Sequence, residues 1–205
     1  RPRRLPKPRR WRSPRRPAAR SSAVAWSSPA LITGPEAEPV TLEEAKEFLA
    51  IDAGEDGFDA MLTGLIPSAR EGIETECSIR MVEQSVRVRC GEWSDLGHLP
   101  IGPVTAVEHL RFEDSSGASQ LVDAQTYELF GEDLDKGIRP AAGQQWPSGL
   151  RAASGSIEVQ LTVGYETLPM RLWTAVLQLV AAMFEQREGD PAPAMPHLIN
   201  YRVYS

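Results

Sequence analysis

Between Ile157 and Val163 apolar and polar residues alternate without a break: Ile157, Val159, Leu161 and Val163 against Glu158, Gln160 and Thr162. That period of two predicts a strand with one buried face. Gly164 and Tyr165 end it, and the period then changes. Leu172, Trp173, Val176, Leu177, Val180, Met183 and Phe184 recur at helical spacing and form one broad apolar stripe. Thr167 is the expected N-cap, with Pro169 in the first turn, where a missing N–H costs little. The predicted helix spans 167–188. Burying its seven large side chains is worth on the order of 10–20 kcal/mol before conformational entropy is subtracted. No other stretch anchors a fold as well.

Upstream, Thr41-Leu-Glu-Glu44 is a capping box, which starts a short amphipathic helix over 41–51. The acidic turn Ile51–Gly57 leads to a second helix over 55–78, with Phe58, Leu62, Leu65, Ile66, Ala69, Ile73 and Cys77 on one face. Pro67 is expected to kink that helix or restart it at Ser68. From 82 to 163 the signals are β. Ser85–Cys90 alternates, and a turn at Leu99–Pro103 feeds Val104–Phe112. Asp114–Gly117 is a hairpin loop. Ser119–Val122 and Tyr127–Phe130 are short strands, and Gly137–Pro140 leads on to Trp146–Pro147. Sequential antiparallel pairing fits these spacings. The predicted class is α+β: a small helical bundle, two N-terminal helices plus one long C-terminal helix, with an inserted antiparallel β region.

Both ends are predicted to extend from this 40–188 domain. Residues 1–39 are too rich in Pro and Arg at the start, and in Ser and Pro afterwards, to pack as a core. Trp11, Trp26, Leu31 and Ile32 are unusual for a linker and are candidate docking points on a partner. At the other end, Gly189–Pro196 cannot continue a helix. The 189–205 segment closes in the apolar, β-prone run Leu198, Ile199, Tyr201, Arg202, Val203 and Tyr204. With no evident place within its own domain, that run is expected to seek an external partner, as in strand addition to another subunit.

Charge sharpens the division. Residues 1–20 carry ten Arg or Lys and no Asp or Glu, whereas the other residues carry twelve basic and all 28 acidic ones, a formal −16 within a total of −6. Arg3, Arg4, Arg9, Arg10, Arg12, Arg15 and Arg16 are candidates for contacts with nucleic acid or with an acidic protein surface; phosphate contacts of this kind weaken steeply with salt. The body contains no basic recognition helix and no aromatic-basic sheet to read bases. No apolar run reaches the roughly 18–20 residues of a membrane span, so no membrane role is expected. The basic start lacks an apolar signal core, so no secretory signal is expected. Cys77 and Cys90 fit no metal or redox spacing and are expected to be free thiols.

No catalytic constellation emerges. There is no glycine-rich phosphate loop before a helix and no paired-histidine spacing. His98, His109 and His197 are scattered over a turn, a strand and the C-terminal segment. The pairs Glu43/Glu44 and Asp133/Asp135 lack a partner base, and Ser148 lies in a turn without an elbow motif. No enzyme, metal or cofactor is expected.

The order of several motifs resembles the head–tail connector, or adaptor, proteins of long-tailed phages and of phage-derived gene transfer agents. The matching pieces are Val40-Thr-Leu-Glu-Glu-Ala-Lys-Glu-Phe-Leu49, the acidic turn and Glu76-Cys-Ser-Ile-Arg80. They continue with Leu99-Pro-Ile-Gly-Pro-Val-Thr-Ala-Val107, Trp146-Pro147, Val163-Gly-Tyr165, Phe184-Glu-Gln-Arg-Glu188 and Leu198-Ile-Asn-Tyr-Arg202. The Arg-rich arm, Pro67 and Cys77 depart from the family pattern. The resemblance implies a structural protein of the particle neck, assembled in the host cytoplasm. Such a protein forms a ring, typically twelvefold, beneath the portal protein and extends the DNA channel. The resemblance places the C-terminal segment on the portal and a stopper-type tail-completion protein on the opposite side of the ring. The acidic body suits a channel wall that does not trap DNA. The alternative is a nucleic-acid-binding regulatory or packaging protein that uses the Arg-rich arm.

Overall fold

The computed structural model describes residues 26–186 and 198–203. The elements in chain order are β1 (Ala30–Thr33), α1 (Leu42–Phe48), α2 (Asp59–Cys77), β2 (Gln84–Cys90), β3 (Val104–Glu113), β4 (Ser119–Leu121), β5 (Tyr127–Glu132), β6 (Asp135–Pro140), β7 (Ile157–Val163) and α3 (Met170–Glu185). The class is α+β with antiparallel sheets.

The helices begin and end where local chemistry permits. The Glu44 N–H donates to Thr41 Oγ1 at 3.2 Å and the Thr41 N–H to Glu44 Oε2 at 2.7 Å, so the capping box forms as expected. α2 runs through Pro67 as one helix, so of the two expected outcomes, a kink or a restart at Ser68, the restart does not occur. The carbonyl that Pro67 leaves without a donor belongs to Thr63, an exposed residue that water can reach. At its far end Ser78 takes the left-handed conformation (φ 55°, ψ 40°) that closes many helices. α3 starts later than expected: Pro169, not Thr167, is its N-cap, and no side chain caps it. Leu62, Ile66 and Ile73 of α2, Ala45 of α1, and Leu172 and Val176 of α3 meet in one buried cluster.

β7 shows the predicted alternation, every second residue being buried from Ile157 to Val163. Its place in the sheet differs from the expected sequential order, which is β1-β2-β7-β3-β4, with β5 and β6 forming a separate hairpin. β7 pairs with β2 over seven residues without a bulge, and with β3 on its other side. The most regularly alternating strand takes the centre, where both its ladders are paired and a strand lies beyond each neighbour. Val86, Val88, Leu110, Val159 and Leu161 form the second core beneath this sheet. Trp146 stacks on Trp93 at its rim, ring centroids 4.8 Å apart. The turn from β7 into α3 demands glycine: Gly164 has φ +132°, and a Cβ there would lie 2.4 Å from the Val82 carbonyl oxygen.

Order begins earlier than the sequence suggests. The stretch from Trp26 to Pro39, expected to be linker, folds onto the body. β1 pairs antiparallel with β2, and Trp26 is buried, its indole N–H donating to the His98 carbonyl at 3.1 Å. Trp26 therefore docks on its own chain rather than on a partner. Leu31 and Ile32 do remain exposed.

Candidate functional site: the C-terminal segment and its seat

The seat is assembled at the end of α2. After the left-handed Ser78, the chain crosses to Gly102: Arg80 N–H donates to the Gly102 carbonyl at 2.8 Å, and Gly102 N–H to the Ser78 carbonyl at 3.2 Å. Beneath the crossing, Glu74 uses both carboxylate oxygens. Oε1 accepts from the Met81 N–H at 2.8 Å and from Gln84 Nε2 at 3.0 Å, and Oε2 accepts from Arg70 Nη1 at 2.8 Å. Arg70 in turn donates through Nε to Glu38 at 2.8 Å. Burial pushes the Glu74 carboxyl above its ordinary value, the opposing donors notwithstanding. Burial alone would lower Arg70; the bond to Glu38 and the charge of Glu74 outweigh it, and the net shift is upward.

On this platform the C-terminal segment folds back. Ile199–Tyr201 form a single 3₁₀ turn, closed by Tyr201 N–H to the Leu198 carbonyl at 2.9 Å. Leu198 and Val203 are each only 7% exposed and join the helical core. The Val203 N–H donates to the Cys77 carbonyl at 2.9 Å, satisfying one of the carbonyls that a helix end leaves open. Val203 closes over Gly102, where a Cβ would meet Leu134 Cδ2 at 3.1 Å and Val203 Cγ2 at 3.4 Å. Arg202 forms an ion pair with Glu76 at the surface. Ile199, by contrast, is 72% exposed. The expectation that this run has nothing to pack on in its own domain is therefore corrected. Gly102, Cys77 and Leu134 form the seat; Cys77 and Gly102 lie within the motifs Glu76–Arg80 and Leu99–Val107, but nothing in the spacing of those motifs predicts that they meet.

A groove of about 420 Å³ lies alongside, lined by Asp133, Leu134, Tyr165, Glu166, Asn200 and Tyr201 among others. The Tyr165 phenol oxygen is buried without a hydrogen-bond partner, and its pKa is pushed up to about 12, mainly by burial and further by Tyr201, Asp133 and Cys77. Burial also raises the Cys77 thiol, which Arg202 partly opposes, so the thiol stays protonated and inert at neutral pH. Cys77 and Cys90 are both free and buried.

The remaining candidates disperse. His98 pairs with Asp135 at 2.9 Å at the surface, and His109 lies on β3. Among the described residues no three His, Cys, Asp or Glu converge as a metal site, and no helix is long and apolar enough to cross a membrane. Arg3, Arg4, Arg9, Arg10, Arg12, Arg15, Arg16 and Tyr204 lie outside the described residues, as do Trp11 and His197.

No protein-family model and no curated protein matches the chain. Solved structures do. The fold is similar to a chain in the neck of an empty gene transfer agent particle determined with C6 symmetry: TM-score 0.69, 25% identity, covering 87% of this chain and 97% of that one. A chain of the native gene transfer agent virion matches over the same shares at TM-score 0.68 and 25% identity. A chain of the native particle neck determined with C12 symmetry matches at TM-score 0.63 and 26% identity, again over 87% and 97%. The resemblance carried by the motifs, to head–tail connectors of phages and gene transfer agents, thus extends to the fold of nearly the whole chain.

Proposed function

We propose that the chain is a structural subunit of a particle neck without a catalytic role: a head–tail adaptor that forms a ring beneath the portal, extends the DNA channel and joins capsid to tail. The observation that carries this reading is the near end-to-end likeness to chains of gene transfer agent necks, which covers 97% of the neighbouring chain. The symmetries of those necks, C6 and C12, support a ring, and the twelvefold one fits the expectation from the motifs. The proposed partners are the portal protein on the side of the C-terminal segment, a stopper-type tail-completion protein on the other, and DNA in the channel.

Within this reading the back-folded segment is the portal-docking element, and Ile199 is its outward point. The test is Ile199→Asp in particles. An exposed residue can change without cost to the fold, so stability is expected to stay within about 0.5 kcal/mol of the parent chain. Portal binding and tail attachment are expected to be lost. Normal tailed particles carrying the folded variant would overturn the docking role.

A further inference from the structure

We infer that Tyr165 sets how readily the C-terminal segment 198–203 leaves its seat: closing the segment leaves the Tyr165 hydroxyl buried and unpaired, so the closed state carries a bias toward release. This deepens the docking reading above and rests on it only for the identity of the partner. The tyrosine cannot be moved by sliding the turn that carries it. Gly164, just before it, donates its N–H to the Pro103 carbonyl at 2.9 Å and has no room for a Cβ. The Tyr165 ring is half-buried and packs on the helical core, and its hydroxyl is buried without a hydrogen-bond partner among the described residues. A phenylalanine would fill the same ring space, so the hydroxyl serves nothing while the segment is closed.

Three elements meet near that hydroxyl. Burial raises the phenol most, and Tyr201, Asp133 and Cys77 raise it further, to about 12. Cys77 ends α2 and Asp133 lies in the turn between β5 and β6, both parts of the fixed body. Tyr201 belongs to the segment. Of the three it is the wall that can leave, and the groove lined by Asp133, Leu134, Tyr165, Asn200 and Tyr201 then opens onto the hydroxyl. Lifting thus returns to water a group that closure keeps from it. A buried polar group left unpaired carries a desolvation cost, which shifts the closing equilibrium by about tenfold or more. Leu198 and Val203, each 7% exposed, and the bond from the Val203 N–H to the Cys77 carbonyl act in the other direction. The segment closes on two apolar side chains against one polar group. In the lifted state it offers both of those side chains to a partner, beside Ile199.

The test is amide hydrogen exchange on the full chain alone, parent against Tyr165→Phe. The Val203 amide, whose bond to Cys77 breaks when the segment lifts, is expected to exchange about tenfold more slowly in Tyr165→Phe. The Ser27 amide, at the other end of the described chain, should not change. Tyr127→Phe removes a hydroxyl from a half-buried tyrosine of the other core and should leave Val203 exchange as in the parent. Combining Tyr165→Phe with Val203→Ala should bring exchange at position 203 back toward the parent rate. Unchanged or faster Val203 exchange in Tyr165→Phe overturns the inference. So does slowing that Ser27 shares equally, or that Tyr127→Phe reproduces, because either is general stabilisation. Neck incorporation of the parent chain is scored separately. A chain found in necks whose Val203 exchange ignores Tyr165→Phe removes the release bias and leaves the adaptor role. A chain absent from necks whose Val203 exchange slows as expected removes the adaptor role and leaves the release bias.

Discussion

The two ends of the described chain are held in different ways. The N-terminal stretch is held by backbone: β1 pairs antiparallel with β2, with one register shift between Leu31 and Thr33, and Ser27 N–H donates to the Arg89 carbonyl at 2.7 Å. One large side chain, Trp26, anchors it, while Leu31 and Ile32 face outward. The C-terminal segment is held by side chains. Leu198 and Val203 are buried, a single backbone bond runs from Val203 to Cys77, and Ile199 faces outward. Burying a Leu or Val side chain is worth about 1.5–3 kcal/mol, and ordering each residue of a segment costs about 1–2 kcal/mol of backbone entropy. A ladder shares its ordering with a sheet that is already fixed; a six-residue segment does not. The N-terminal stretch is therefore part of the fold, and the C-terminal segment is a detachable cover on it.

The most severe way to break this contrast is to remove the platform that both ends touch. Glu74→Ala leaves Arg70 with Glu38 but without its buried partner, and leaves the Met81 N–H unpaired. A cost of about 3–5 kcal/mol in urea unfolding is expected. The same site has a pH signature. The folded pKa of Glu74 lies above the ordinary 4.5, so the folded state holds the proton more tightly than the unfolded chain does. The Glu74 contribution therefore weakens as pH rises from 4.5 through the shifted value and levels off above it. A Glu74→Gln chain should lack that slope, and an unchanged profile would refute the assignment.

Trp26→Ala acts on one end alone and should cost about 3 kcal/mol. In hydrogen exchange the Ser27 amide should lose protection while the Val203 amide keeps its own; equal loss at both would show the ends to be coupled. Val203→Ala removes two buried methyl groups, at about 1–2 kcal/mol, and should speed exchange across 198–203 without touching β1. The smallest effect belongs to Arg202→Ala. Its pair with Glu76 is exposed on both sides, and such pairs contribute about 0–1 kcal/mol. If Arg202→Ala frees the segment more than Val203→Ala does, charge rather than burial holds it, and the contrast fails.

What was legible in the sequence was local. The alternation of Ile157–Val163 and the capping box at Thr41 each lie within a few residues, and both appear as read. The insertion of β7 between β2 and β3 was not legible, because strand order depends on pairing between residues some seventy positions apart. The alternatives at Pro67, a kink or a restart at Ser68, could not be narrowed from sequence, because the exposure of the carbonyl that the proline frees is a tertiary fact. For the ends there was a faint signal: Trp26, Leu198 and Val203 are apolar residues in stretches otherwise punctuated by proline and polar residues. Their seats at His98, Cys77 and Gly102 come from distant parts of the chain, and no spacing announces them.

The Val203–Cys77 bond also sets a threshold for any outside ligand of the C-terminal segment. A binder that needs the segment free meets only the fraction of molecules in which it has lifted, so its apparent affinity falls in proportion to that fraction. Weakening the closure by a tenfold shift in this equilibrium, about 1.4 kcal/mol, would tighten apparent binding by up to tenfold with no change in the contacts made. For a binder of that kind, and not for one that meets the outward Ile199 of the closed segment, the cover would act as a gain control built into the end of α2.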